Sequence, residues 1–350
     1  MAILSNFINQ FFIDILALIN ITQDTALFIA LIVKVIVVIL IIVMCVAYTT
    51  WLERKIHGLI HLRKGPNVVG AFGLLQPLYD GIKLIFKETI IPLNANKLIF
   101  FMAPILTFVV ALLGWVVIPI DNGMAFSNLN IGAIYLLAIS SLSVYGLIMA
   151  GYSSNSQFSL LGAIRSSSQM ISYELSMGMI VLCVALISQS LNLNEIIIKQ
   201  TNLWNFITLF PLAILFFIVI LAETNRHPFD LPEGEADIVG GFHTEYSGFL
   251  FALFFLAEYA NMILMSSFFT ILFLGGWLPL LSFYPFNLIP GFVWFILKII
   301  VLLFFIIQVR AVVPRYRYDQ LMSLGWKVFL PITFLAFFII SIILRLTMVG

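Results

Sequence analysis

Apolar residues in this chain come in long unbroken runs, with the polar ones gathered between them. A helix needs about 20 predominantly apolar residues to cross a bilayer. Eight stretches meet or approach that length: 26–50, 98–119, 131–151, 170–189, 206–222, 247–274, 291–313 and 328–348. In lipid the backbone must satisfy its own hydrogen bonds, which leaves helices or a closed barrel. Barrel strands alternate apolar and polar residues; these runs do not, so the pattern predicts helices. The reading is an all-α integral membrane protein of about eight transmembrane helices. It forms a single polytopic domain over 1–350, with no soluble domain and no clear internal repeat.

Two weaker patterns predict interfacial helices. Within 1–25, Phe7, Ile8, Phe11, Phe12, Ile15, Leu16 and Ile19 form one helical stripe, too short to span. A helix lying on the outer surface is expected there. Over 76–88, Leu78, Ile82, Ile85 and Phe86 face one way, and Gln76, Asp80, Lys83 and Lys87 the other. Pro77 suits a first helical turn. This helix either anchors at the surface or lines a site for an amphipathic ligand.

Composition agrees with the pattern. Of 350 residues, 62% are hydrophobic and 9% charged, against roughly 45–50% and 25% in soluble domains. That excludes an ordinary soluble protein, a disordered chain and a nucleic-acid binder. The net charge of +1 selects no partner, so the positions of the charges carry the information. With the N-terminus outside, the inner loops 51–97, 152–169, 223–246 and 310–327 hold seven, one, one and four basic residues. The outer segments hold only Lys199. This asymmetry predicts both termini on the outer side. No basic residue precedes Lys34, so neither a secretory signal nor a transit peptide is expected. Synthesis in bacteria or inside an organelle follows.

Four charges fall inside the spans with opposite signs: Glu174 and Glu258 against Lys34 and Lys298. A charge at the bilayer centre costs roughly 2.5–3.5 kcal/mol and often marks an ion path. A structural Glu–Lys pair is the plainer alternative. Glu174 shares a helix face with Gly178, Val181 and Ala185, whose small side chains permit close packing, so it should point into the bundle.

The inner loop 223–246 reverses the local charge bias. It holds Glu223, Asp230, Glu233, Glu235, Asp237 and Glu245, with Arg226 its only permanent cation. Phe229, Leu231, Ile238, Val239 and Phe242 interleave them, so part of the loop should be buried. Crowded carboxylates share protons and titrate together, as a proton relay requires. A solvated acidic loop is the alternative. The basic residues after the first span, Arg54 among them beside Glu53, are explained mostly by topology.

Cofactor motifs are lacking. His57 and His61 are four apart, but in a basic stretch unsuited to a cation, and no metal site is expected. No nucleotide-binding glycine motif is present. Cys45 and Cys183 lie in apolar runs and cannot supply an iron–sulfur cluster.

Several stretches carry a family resemblance. They are Glu53-Arg-Lys-Ile, Leu62-Arg-Lys-Gly-Pro-Asn-Val-Val-Gly, Gly73-Leu-Leu-Gln-Pro, Gly162-Ala-Ile-Arg and Gln169-Met-Ile-Ser-Tyr-Glu. Further on come Ala222-Glu-Thr-Asn-Arg-His-Pro-Phe-Asp, Phe251-Ala-Leu-Phe-Phe-Leu-Ala-Glu-Tyr and Arg315-Tyr-Arg-Tyr-Asp-Gln-Leu. From about 50 to 330 the chain resembles the family of NADH:quinone oxidoreductase subunit 1, the H subunit of the bacterial enzyme. The resemblance implies a membrane-arm subunit of proton-pumping complex I that forms the quinone access and reduction chamber with the hydrophilic arm. It implies ubiquinone as substrate, and FMN and iron–sulfur clusters in partner subunits rather than in this chain. The partners implied are those hydrophilic-arm subunits, other membrane-arm subunits, quinone and the lipid bilayer, with no nucleic acid. It also implies that Glu174, Glu258 and the loop acids form a funnel relaying protonation changes, and that Arg54, Arg226 and Arg310 lie near the quinone chamber. The helix at 76–88 would stand beside the quinone access path. The expected location is an energy-transducing membrane, the mitochondrial inner membrane or a bacterial plasma membrane, with a lean to mitochondria. A subunit of a hydrogenase-type or other donor-linked complex, and a proton-coupled secondary transporter, are the competing readings.

Overall fold

The computed structural model describes residues 23–122, 125–231, 239–280 and 286–349. The outer stripe Phe7–Ile19 therefore falls outside the described residues, as do Glu233, Glu235 and Asp237. All regular structure among the described residues is helical.

The helices are α1 (Gln23–Ile60), α2 (Gln76–Phe86), α3 (Lys97–Leu113), α4 (Gly132–Ser153), α5 (Gln157–Ser188) and α6 (Leu193–Lys199). They continue with α7 (Asn205–Thr208), α8 (Phe210–Glu223), α9 (Gly248–Phe273), α10 (Gly291–Val312), α11 (Tyr318–Leu324) and α12 (Leu330–Val349). One π-helical stretch, Gly325–Phe329, joins α11 to α12. Seven segments are long and apolar enough to cross a membrane, and α8 is a shorter apolar helix in the place of the predicted fifth span. The protein is thus a multi-pass, all-α membrane protein.

Three boundaries differ from the apolar pattern. At 1.5 Å per residue, α1 is about 57 Å long, well beyond a bilayer core of about 30 Å. It runs ten residues past the predicted end at Thr50, through Trp51–Ile60. Polar side chains there do not break a helix; they only take it out of lipid. α5 likewise begins at Gln157, capped by the Ser156 hydroxyl accepting from the Ser159 amide. α8 is shorter than its apolar run because Leu209 leaves helical geometry (φ −117°, ψ 35°) and Pro211 follows in the first turn. A proline can start a helix there but cannot continue one across that point.

Close helix contact relies on small residues. α4 packs between α3 and α5. A Cβ on Gly146 would lie 2.2 Å from Thr107 Cγ2 of α3, so that crossing tolerates only glycine without rearrangement. Gly162 of α5 lets the returning loop approach: its Cβ would stand 2.7 Å from the Gly241 Cα. Of the seven long helices, α9 is the most enclosed and α12 the least. A helix apolar on all sides and surrounded by protein forms the core. Glu258 and Tyr259 on α9 therefore face protein rather than lipid.

Candidate functional site: a buried chain of ionisable residues

The extension of α1 carries Glu53 into the bundle, where it is only 4% exposed. Four side chains from other turns and helices surround it. Tyr259 of α9 donates its hydroxyl to Oε2 at 2.5 Å. Arg226 approaches both oxygens with Nη1, at 3.4 and 3.5 Å. Arg310, in the last turn of α10, donates to Oε1. His57, one turn along α1, places Nε2 3.6 Å away.

Arg226 is the hinge of the network. Its Nε lies 3.0 Å from Oε1 of Glu258, and its guanidinium sits 4.3 Å over the ring of Tyr259. Burial works against its charge, but Glu258, Tyr259 and Glu53 more than offset this and push its pKa further above the ordinary arginine range. The sequence at the end of α8 places it. Asn225 takes the left-handed conformation (φ 51°), the Asn225 amide bonds to the Ala222 carbonyl, and the Arg226 amide reaches back to Leu221 at 3.0 Å. This is a Schellman stop with asparagine in the position usually held by glycine. It turns the chain so that the next side chain points into the bundle.

Beyond Glu258 lies a cavity of about 80 Å³. Glu223, Glu258, Asn225, Asn261, Ser140 and Ser143 are among its lining residues. Its wall is mostly apolar, with these polar side chains set into it, and it has room for water beside them. Glu223 is 1% exposed, and its Oε2 has no hydrogen-bond partner among the described residues. Glu174 is close enough to Glu223 to interact electrostatically, and accepts a hydrogen bond from Ser141 of α4. The order across the protein is thus Glu53, Arg226, Glu258, the cavity, Glu223 and Glu174.

The remaining candidates lie elsewhere. Asp230 pairs with Arg315 at 2.9 Å. It belongs to a clamp in which Phe229 stacks on Tyr316 at 5.5 Å and the Tyr316 amide donates to the Pro228 carbonyl. Gln169 fastens the same loop, its Nε2 donating to the carbonyls of Ala222 and Phe229 at 2.7 and 2.8 Å. Arg54 turns away from the network to Asp80 of α2, at 2.5 Å, and Gln76 donates to the same carboxylate. Glu245 is half-buried and is not joined to the network among the described residues. Among the described residues Glu258 pairs with Arg226 rather than with a lysine of the spans, and Lys298 does something else. Its ammonium donates to the carbonyls of Leu274, Gly276 and Leu278 at 2.6 to 2.9 Å and lies 4.5 Å over Trp204. It fastens the turn that follows α9, whose carbonyls lie beyond the helix.

The sequence reading missed Glu53, Tyr259, His57 and Ser141 as members. Glu53 was hidden in a basic run that topology already explained. Tyr259 had a usable signal: a phenol beside an intramembrane carboxylate on one helix.

His227 lies between the cations of this region. Burial, then Arg315 and Arg310, hold its pKa below the usual histidine value. The folded protein therefore binds fewer protons here than the unfolded chain. Its contribution to stability is complete above about pH 6.5 and declines as pH falls below that. Thermal unfolding midpoints should drop between about pH 7 and 5, with a shallower slope in His227→Gln. An identical slope in the variant would remove His227 from the account.

Comparison with known proteins bears on the whole chain. The sequence model of the NADH dehydrogenase family matches residues 33–341. The H subunit of NADH-quinone oxidoreductase from Rickettsia typhi is 56% identical over 321 residues, covering 90% of this chain and 93% of its own length. Its counterpart from Rickettsia prowazekii matches to the same extent. The H subunit from Rhodospirillum rubrum is 58% identical over 287 residues, covering 82% of this chain and 85% of its own.

Proposed function

Since this chain belongs to the NADH dehydrogenase family, we propose that it is the H subunit of a proton-pumping NADH:quinone oxidoreductase. In this reading it forms the quinone access and reduction chamber with the hydrophilic arm and passes protonation changes inward through buried carboxylates. The relatives named above are bacterial proteins, which favours a bacterial plasma membrane over the mitochondrial inner membrane. The inner-loop lysines and arginines support an orientation with both termini outside.

The observation that carries the relay is the succession from Glu53 to Glu174 through Arg226, Glu258, the cavity and Glu223. Each carboxylate has a neighbour that responds to its charge. Glu53 and Glu258 share Arg226, so protonating one weakens its hold on the guanidinium and strengthens the pull of the other. Glu258 and Glu223 line one cavity, where water can carry a proton between groups that do not touch. Glu223 and Glu174 repel each other when both are ionised, so a change of charge on one is felt by the other.

Quinone reduction consumes protons and places negative charge on the quinone oxygens. Arg310, 44% exposed at its side chain while engaged with Glu53, suits a cation that reaches toward such a charge. α2 supports the access path. Its apolar residues Ile82, Ile85 and Phe86 are 52%, 62% and 84% exposed, so this chain alone leaves them open to lipid or to an amphipathic ligand. The electron donors belong to partner subunits: two cysteines cannot supply the four thiolates of an iron–sulfur cluster.

Glu223→Gln and Glu174→Gln test the relay. Quinone-linked NADH oxidation should fall on the order of 100-fold, while NADH oxidation by an artificial hydrophilic acceptor in the same membranes stays unchanged. Full quinone-linked turnover in both variants would overturn the relay.

A further inference from the structure

Apart from the ionisable chain, a groove of about 1040 Å³ opens between α5 and α12. The two helices are held together at one end. Trp326 donates to Ser172 at 3.0 Å, Tyr173 meets the edge of Phe329 at 5.8 Å, and the Tyr173 hydroxyl donates to the Leu321 carbonyl. Toward the other end a gap separates their facing surfaces. Leu182 and Leu186 on α5 and Phe337 and Leu344 on α12 form apolar walls, with the small residues Ala185 and Ser341 between. These residues recur at helical spacing, so each helix presents one face to the gap.

The mouth of the groove is chemically different. Arg345, Gln189, Ser190 and Asn130 stand there. α5 and α12 both end at this level, and Asn130 leads into α4, so the mouth is at the end of the bundle remote from the acidic loop. The groove lining carries one cation, two amides and two hydroxyls, and no carboxylate.

We propose that this groove is a binding site for one anionic phospholipid of the leaflet opposite the acidic loop. The phosphate pairs with Arg345, the amides of Gln189 and Asn130 reach the headgroup and ester oxygens, and the acyl chains fill the space between α5 and α12. A guanidinium matches the two oxygens of a phosphate in a way that an ammonium does not. The apolar walls lie on the membrane side of this cation, the arrangement that a lipid has in reverse. The gap does not stay empty, because lipid chains are as apolar as its leucines and are the surrounding solvent. Charge favours lipid over a transmembrane helix of a neighbouring subunit: an apolar helix would leave Arg345 without a counter-ion at the mouth.

The test uses the protein extracted with its native assembly in mild detergent. After delipidation, phosphatidylglycerol or phosphatidylcholine with the same acyl chains is added back, and bound lipid is read by native mass spectrometry. The wild type should retain one phosphatidylglycerol per copy in preference to phosphatidylcholine. Arg345→Gln should weaken that retention about tenfold, the loss of one charge-assisted contact. Ser341→Trp should weaken that retention by narrowing the groove between its walls while leaving Arg345 in place. A photoactivatable phosphatidylglycerol needs no variant, and should label the wild type within 182–191 and 337–345. Equal retention of the two lipids, unchanged retention in both variants, labelling confined to other segments, or a cross-link from Ser341→Cys to a neighbouring subunit would each overturn the proposal.

Discussion

Glu53→Ala should lower the stability of the protein by about 3–5 kcal/mol, the usual cost of removing one partner from a buried ion pair. The reason is arithmetic of charge. Glu53 is the shared partner of Arg226 and Arg310, with His57 beside them. Without it two guanidiniums and an imidazole face one another, and the Tyr259 hydroxyl loses its acceptor. Glu53→Gln keeps the shape and still accepts from Tyr259, so a smaller loss of about 1–3 kcal/mol is expected. The order wild type, glutamine, alanine should appear both in the amount of assembled protein in membranes and in its thermal midpoint. Three equal midpoints would show that Glu53 is not the centre of the network.

Arg226→Leu is expected to be nearly as damaging, by about 3–5 kcal/mol, for the opposite reason. It leaves Glu258 without its cation and Glu53 with Arg310 as its remaining arginine. A second substitution distinguishes this from lost packing. Adding Glu258→Gln to Arg226→Leu removes the stranded charge, so the double variant should be more stable than the sum of the single losses predicts, by about 1–3 kcal/mol. Strict additivity would mean that the 3.0 Å contact between Arg226 and Glu258 contributes no coupling. In the same cycle, quinone-linked NADH oxidation should fall in each single variant while oxidation by the artificial acceptor is retained. That pattern separates a damaged relay from a damaged assembly, because unfolding removes both activities.

The sequence made some members of this site readable and concealed others, for a consistent reason. Glu174 and Glu258 stood out because a carboxylate in an apolar run is expensive and rare. Glu223, Arg226 and Asp230 stood out because the loop 223–246 breaks the local excess of basic residues. Their different fates did not show: Glu223 lines a cavity, Arg226 joins two carboxylates, and Asp230 clamps the loop to Arg315. Arg54 and Glu53 are neighbours in one basic stretch, yet successive residues on a helix point about 100° apart. Arg54 turns to α2 and Glu53 to the interior. Lys298 was legible as a buried charge, but its partners are backbone carbonyls in the turn that follows α9, which no pattern of side chains reveals.

What the sequence determined by itself is what depends on solvent. Apolar run length fixes which segments can enter lipid, basic-residue asymmetry sets the expected orientation, and the cost of charge in hydrocarbon marks the few ionisable residues worth attention. What only the tertiary structure decided is pairing. The continuation of α1 past its apolar run, the Schellman stop at Asn225 and the close approach at Gly162 together bring Glu53, Arg226, Glu258 and Tyr259 into contact across as many as 206 residues of chain. Burial and electrostatic attraction act through space. A code written along the chain can state that a charge is present, but not which opposite charge will reach it.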